Sequence, residues 1–125
     1  MNQKTTLLAG AIAGALAVSI GSFGAHVLKN ILVENQRTET FELAVRYQFY
    51  HTLALLLTGL FMEFFDDRKL RLAAIFFLIG IVIFSGTLYG LSLSGQTWFG
   101  AITPLGGGAL ITGWLFLMMG VGKRK

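Results

Sequence analysis

The chain has two histidines, His26 and His51, and side chains able to donate, accept or carry charge stand near the second. Arg46, Tyr47 and Gln48 precede His51 within about two turns of helix, and farther on Ser85, Tyr89 and Ser92 recur at i, i+4 and i+7. On a helix that spacing forms one stripe. A guanidinium beside an imidazole and two phenols suits recognition of an anionic group: Arg46 would meet the charge, with His51, Tyr47 and Tyr89 shaping the pocket. The same set with His51 as a base would be an enzyme acting on a lipid.

Other chemistries lack their parts. There is no cysteine, so thiol catalysis, thiolate metal sites and disulfides are excluded. Catalytic zinc wants three protein ligands with supporting partners. With only two imidazoles, a third ligand would have to be Glu39 or Glu42, and no HExxH spacing exists, so no metal is expected. No GxSxG elbow surrounds Ser85, and Gly106-Gly107-Gly108 sits inside an apolar run, not before a Lys-Ser/Thr pair. No catalytic residue and no cofactor is assigned.

The elements that must position these residues follow from composition. Of 125 residues, 54% are apolar and 13% charged, about half the charged share of an ordinary soluble domain. The net charge of +4 does not form the basic face that nucleic-acid binding needs. Seven of the ten basic residues (Lys4, Arg68, Lys69, Arg71, Lys123, Arg124 and Lys125) stand at the ends of apolar runs. A bilayer core about 30 Å thick takes about 20 apolar residues of helix. Four runs meet that length, at about residues 7–28, 45–65, 72–93 and 104–121. The expectation is an all-α integral membrane protein, one domain over residues 1–125, with four transmembrane helices in a compact bundle, multi-pass in the cell membrane. Ala15-Leu16-Ala17 has the form of a cleavage site, yet the apolar run continues to Leu28, beyond a signal-peptide core. It reads as a span.

Those seven basic residues share one side of a four-span arrangement, and Lys29, Arg37 and Arg46 make three on the other. By the positive-inside rule both termini are cytoplasmic. Thr38 with Glu39 and Glu42 reads as a helix start. Asp66 or Asp67 can cap the third span, and Thr103-Pro104 reads as an N-cap followed by proline at the first helical position. Trp98 and Phe99 would anchor the interface. Helices in lipid associate through small residues. Gly10, Gly14, Ala17, Gly21 and Gly24 stripe the first span, Gly86 and Gly90 the third, and Gly106, Ala109 and Gly113 the fourth. Such stripes pack helices within one chain or in a homo-oligomer.

With the topology fixed, His26, Arg46, Tyr47, Gln48, His51, Ser85 and Tyr89 fall in the outer leaflet, while the inner leaflet holds little beyond Thr58 and Glu63. A rise of about 1.5 Å per residue puts His51 roughly 9 Å and Ser85 roughly 12 Å inside their spans. The expectation is one hydrogen-bonded cluster opening outward, since polar groups in hydrocarbon must find partners. The quieter readings are that Arg46 snorkels or pairs with Glu42, and that His51 is buried and satisfied.

The motifs Gly21-Ser22-Phe23-Gly24-Ala25-His26, Phe41 with Val45-Arg46-Tyr47-Gln48 and His51, Phe84-Ser85-Gly86-Thr87-Leu88-Tyr89, Ile102-Thr103-Pro104-Leu105-Gly106-Gly107 and Gly113-Trp114 cover nearly the whole chain. Together they resemble a small bacterial membrane family of unknown function that includes the eukaryotic transmembrane protein 256 homologues. The resemblance implies a four-helix membrane protein and supplies no reaction, substrate or cofactor. Three functions compete. The first is non-enzymatic binding of a lipid headgroup, small molecule or partner protein at the outer leaflet. The second is a small oligomeric transporter or channel, which lacks a mid-membrane acid to couple proton flow. The third is a membrane enzyme acting on a lipid. Their order follows the ionisable groups present within the spans.

Overall fold

A computed structural model describes residues 1–125. Helix α1 (Gln3–Val27) starts from a reciprocal cap: the Asn2 side chain accepts from the Thr5 N–H at 2.8 Å and the Thr5 hydroxyl accepts from the Asn2 N–H at 2.9 Å. A short helix α2 (Lys29–Glu34), which no sequence periodicity indicates, turns the chain over one end of the bundle. Helix α3 (Thr38–Phe61) begins where its acidic first turn indicates. Asp66 caps α4 (Asp67–Gly80), accepting from the Arg68 N–H at 3.1 Å. A single π-helical stretch, Ile81–Ser85, joins α4 to α5 (Gly86–Ser94), and α6 (Trp98–Val121) completes the fold.

Three stretches are long and apolar enough to cross a membrane: α1, the continuous run from Asp67 to Ser94, and α6. Helix α3 is as long as α6, at 24 residues, and carries Glu39, Glu42 and Arg46 in its first half. It is the hub. It packs along α1 on one side and against α4, the π segment and α5 on the other, while α6 packs along α4, the π segment and α5. The main core lies among α3, α4 and α6 and is built on Leu55, Leu70, Phe77, Leu110 and Leu117. Both termini lie at the end opposite α2. There the Asp66 N–H donates to the Lys123 carbonyl at 2.9 Å and the Lys125 N–H to the Phe64 carbonyl at 3.1 Å, stitching the tail to the α3–α4 turn.

Small residues set these contacts. On α1, a Cβ added at Gly10 would stand 2.8 Å from Leu56, at Gly14 3.3 Å from Thr52 and at Gly21 3.1 Å from Val45; at Gly24 it would strike the Phe41 ring. Ala17 is fully buried in the same seam. Gly113 gives room to Phe77 and Gly90 to Phe99, and at Gly106 an added Cβ would run into the Phe84 backbone. That last contact falls within the π segment, and only a residue without Cβ fits opposite its backbone. Gly59, Gly80 and Gly120 serve the same purpose against Leu7, Leu110 and Leu70.

Two expectations are corrected. Gly86 is exposed and an added Cβ there would meet nothing within 4 Å. The packed face of its helix runs through Ser85, Leu88 and Ser92, and Gly86 lies about 100° off Ser85. Thr103-Pro104 is not a helix start, because α6 begins at Trp98 and Pro104 lies inside it. The Thr103 hydroxyl instead donates to the Phe99 carbonyl at 3.2 Å and lies 2.7 Å from the Thr87 hydroxyl, fastening α6 to α5 beside the proline.

Candidate functional site

Gln48 ties three helices together. Its Nε2 donates to the Ala13 carbonyl of α1 at 2.9 Å, and its Oε1 accepts from the Tyr89 hydroxyl of α5 at 2.6 Å. Side chains lean toward the N-terminus of their own helix. Because α3 and α5 run antiparallel, Gln48 and Tyr89 lean toward each other and close the distance. The Ser85 hydroxyl donates to the Ala44 carbonyl at 2.8 Å. His51 is engaged on both nitrogens. Its Nε2 accepts from the Trp114 indole N–H at 3.0 Å, which leaves the proton on Nδ1, 2.7 Å from the Tyr47 carbonyl. Tyr47 stacks on Phe84 with ring centres 4.7 Å apart, and Phe77 and Trp114 flank His51 at 5.9 Å each.

The seven residues chosen from the sequence therefore divide. Gln48, His51 and Ser85 are buried, at 4%, 6% and 2% exposure. Gln48 and Tyr89 bond each other, His51 bonds the Tyr47 carbonyl of its own helix and Trp114, and Ser85 bonds the Ala44 carbonyl, outside the seven. Helix α3 starts at Thr38, seven residues before the apolar run begins at Val45, so His51 stands thirteen residues, roughly 20 Å, along its axis. Its partner Trp114 is not among the seven; an indole N–H in an apolar helix needs an acceptor, and that need is the signal that marks it.

His26 and Arg46 are elsewhere, on an open pocket of about 600 Å³ bounded by α1, α2 and α3. Lys29, Thr38, Glu42 and Phe41 line it with them. The α2 turn builds its rim. Leu32 is buried beneath α2, and the Asn35 carboxamide donates to the Ser92 and Leu93 carbonyls at 3.0 and 3.2 Å, covering orphan acceptors at the end of α5. Gln36, at φ +56°, turns the chain back toward α3. The two ion pairs of the molecule both involve Asp67, with Arg71 at 3.7 Å and Lys125 at 3.4 Å. Arg46, Lys29 and His26 thus stand without a carboxylate at ion-pair distance, and the pairing of Arg46 with Glu42 that the sequence allowed is not formed. Across the Gly24–Phe41 contact lies an apolar groove of about 540 Å³ between α1 and α5, walled by Phe23, Val27 and Leu93 and floored by Phe41 and Tyr89.

The family model described as Protein of unknown function (DUF423) matches residues 20–107. The chain belongs to this family. The match spans every site residue chosen from the sequence, from His26 to Tyr89, and ends before Trp114. The UPF0382 membrane protein SSP2132 of Staphylococcus saprophyticus is 40% identical over 121 residues, covering 97% of this chain and 99% of the relative. A UPF0382 membrane protein of Haemophilus influenzae is 36% identical over 124 residues, covering 99% and 97%. The UPF0382 inner membrane protein YgdD of Escherichia coli K12 is 34% identical over 127 residues, covering 100% and 95%. No solved structure matches the chain. With relatives named as membrane proteins along its full length and three membrane-length apolar helices, the protein is a multi-pass protein of the cell membrane.

Proposed function

We propose that the protein crosses the membrane four times with both termini cytoplasmic, and that it binds the phosphate of a lipid headgroup in the outer pocket without catalysing a reaction. Support for the fourth span comes from packing. Helix α3 lies along α1 and against α4 and α5, so a membrane that holds its neighbours holds α3 as well. The positive-inside bias then directs the α2 end outward.

One observation carries the binding reading: His26, Lys29 and Arg46 line a single open pocket, and none has a carboxylate at ion-pair distance. Three donors at headgroup depth suit a phosphate, and a guanidinium binds phosphate oxygens in a fork. The buried residues argue against the rivals. A transport path would need polar groups free to exchange partners, but Gln48, Ser85 and His51 are committed to internal hydrogen bonds. A base at His51 would first have to give up its Trp114 bond.

The test is native mass spectrometry of the purified protein with a phosphatidylglycerol and a neutral diacylglycerol. The phospholipid is expected to bind and the diacylglycerol not. An Arg46→Ala/Lys29→Ala variant is expected to weaken the phospholipid about fivefold, the scale of two exposed ionic contacts of roughly 0.5 kcal/mol each. Equal retention of both lipids by the native chain, or undiminished binding by the variant, would refute the reading.

A further inference from the structure

Glu42 lines the same pocket as Arg46, one helical turn before it on α3. In a site for phosphate alone, a carboxylate on the wall is a liability, since like charges repel across a short gap of modest dielectric. Residues at i and i+4 stand about 5–6 Å apart at Cβ, close enough to pair. Here they do not, and Glu42 has no ion pair with Lys29 or His26 either. An unpaired acid and an unpaired base on one wall are the complement of a zwitterion.

We propose that the ligand of this pocket is a diacyl lipid whose phosphate diester carries a primary ammonium on a two-carbon spacer, as phosphoethanolamine does. The inference rests on the phosphate reading above and adds the cationic half. Arg46, with Lys29 and His26, takes the phosphate. Glu42 accepts hydrogen bonds from the ammonium, which has three N–H donors to give. A quaternary ammonium has none and is held by cages of aromatic faces, whereas Phe41 is the one phenyl, phenol or indole ring in this lining. A glycerol headgroup supplies the phosphate and leaves Glu42 facing it without a cation. The source is a lipid, because Val33 and Val45 continue the wall as apolar surface on which a chain can lie.

The full-length protein in mixed micelles is titrated with dioleoyl phosphatidylethanolamine, phosphatidylcholine and phosphatidylglycerol, and bound lipid is read by native mass spectrometry. The ethanolamine lipid is expected to be retained about fivefold over the other two, the scale of one exposed ionic contact. Glu42→Gln, a change at an exposed position, is expected to level the three lipids without abolishing binding, and Arg46→Ala to weaken all three. Equal retention by the native chain, or an ethanolamine preference that survives Glu42→Gln, overturns the zwitterion assignment and leaves the phosphate reading standing. Undiminished retention in Arg46→Ala overturns both. Excess soluble phosphoethanolamine is expected not to displace the lipid; displacement would overturn the assignment to a lipid.

Discussion

Replacing Gln48 by leucine tests the logic of the buried network with little change in volume. Two hydrogen bonds are lost, the one to the Ala13 carbonyl at 2.9 Å and the one from the Tyr89 hydroxyl at 2.6 Å. Side-chain hydrogen bonds between membrane helices average about 0.6 kcal/mol each and reach about 1.7. The expected loss is therefore about 1–2 kcal/mol. Tyr89→Phe removes only one of the two bonds and should cost roughly 0.6 kcal/mol. The decisive measurement is the double variant. Since Tyr89 donates to Gln48 itself, removing its hydroxyl from a chain already lacking Gln48 should cost almost nothing, so the pair should be non-additive by about the worth of one bond. Reversible unfolding by SDS titration in mixed micelles reads all three variants against the parent. Additive losses, or a Gln48→Leu protein as stable as the parent, would show that these short distances do not hold α1, α3 and α5 together.

Further outcomes follow from backbone contacts and charge. Gly106→Ala should cost about 1–3 kcal/mol, since a methyl there meets the Phe84 backbone, while Gly86→Ala should be neutral or stabilising by up to about 1 kcal/mol; unfolding in the same micelles compares them, and equal losses would contradict the packing. A cysteine placed at Lys125 should react with a membrane-impermeant thiol reagent only after the cells are opened, and reaction in intact cells would reverse the topology.

Much of this architecture was legible because its causes are local. Acidic residues announce the start of α3 at Thr38, Asp66 caps α4, and the small stripe on α1 needs only a partner ridge, which α3 supplies. What stayed hidden depends on tertiary partners. Pro104 follows a threonine as it would at a helix start, but Trp98, stacked on Phe99 at 3.9 Å, begins α6 earlier. The π turn leaves no mark in its own residues, and its trace is the glycine opposite, Gly106. Helix α2 is too short for a periodic pattern, and the Asn35 bonds that hold it land on carbonyls 57 and 58 residues away. For the same reason the polar residues looked like one cluster. Counting residues along a span gives approximate depth, while the direction of each side chain decides whether it turns into the seam, as Gln48 does, or onto the rim, as Arg46 does.

That division bears on why α3 differs from the other long helices. Glu39, Glu42 and Arg46 lower its apolar character, so by length and composition it is the long helix least suited to lipid. Its position offsets this. With α1 on one side and α4 and α5 on the other, α3 is covered by protein on two sides, and its first two turns lie toward the α2 end, where Glu39, Glu42 and Arg46 are exposed. Ionisable groups in such a helix persist only where their cost is met. Deeper in, Gln48 and His51 are met by hydrogen bonds within the protein, to Ala13, Tyr89 and Trp114, while the Thr52 hydroxyl is buried with none. At the rim, Glu42 and Arg46 have no partner within the chain at ion-pair distance. The buried set explains how the helices are held in register. The unpaired charges above it explain nothing about folding, and that is why the binding reading rests on them and not on the deeper residues first singled out by sequence.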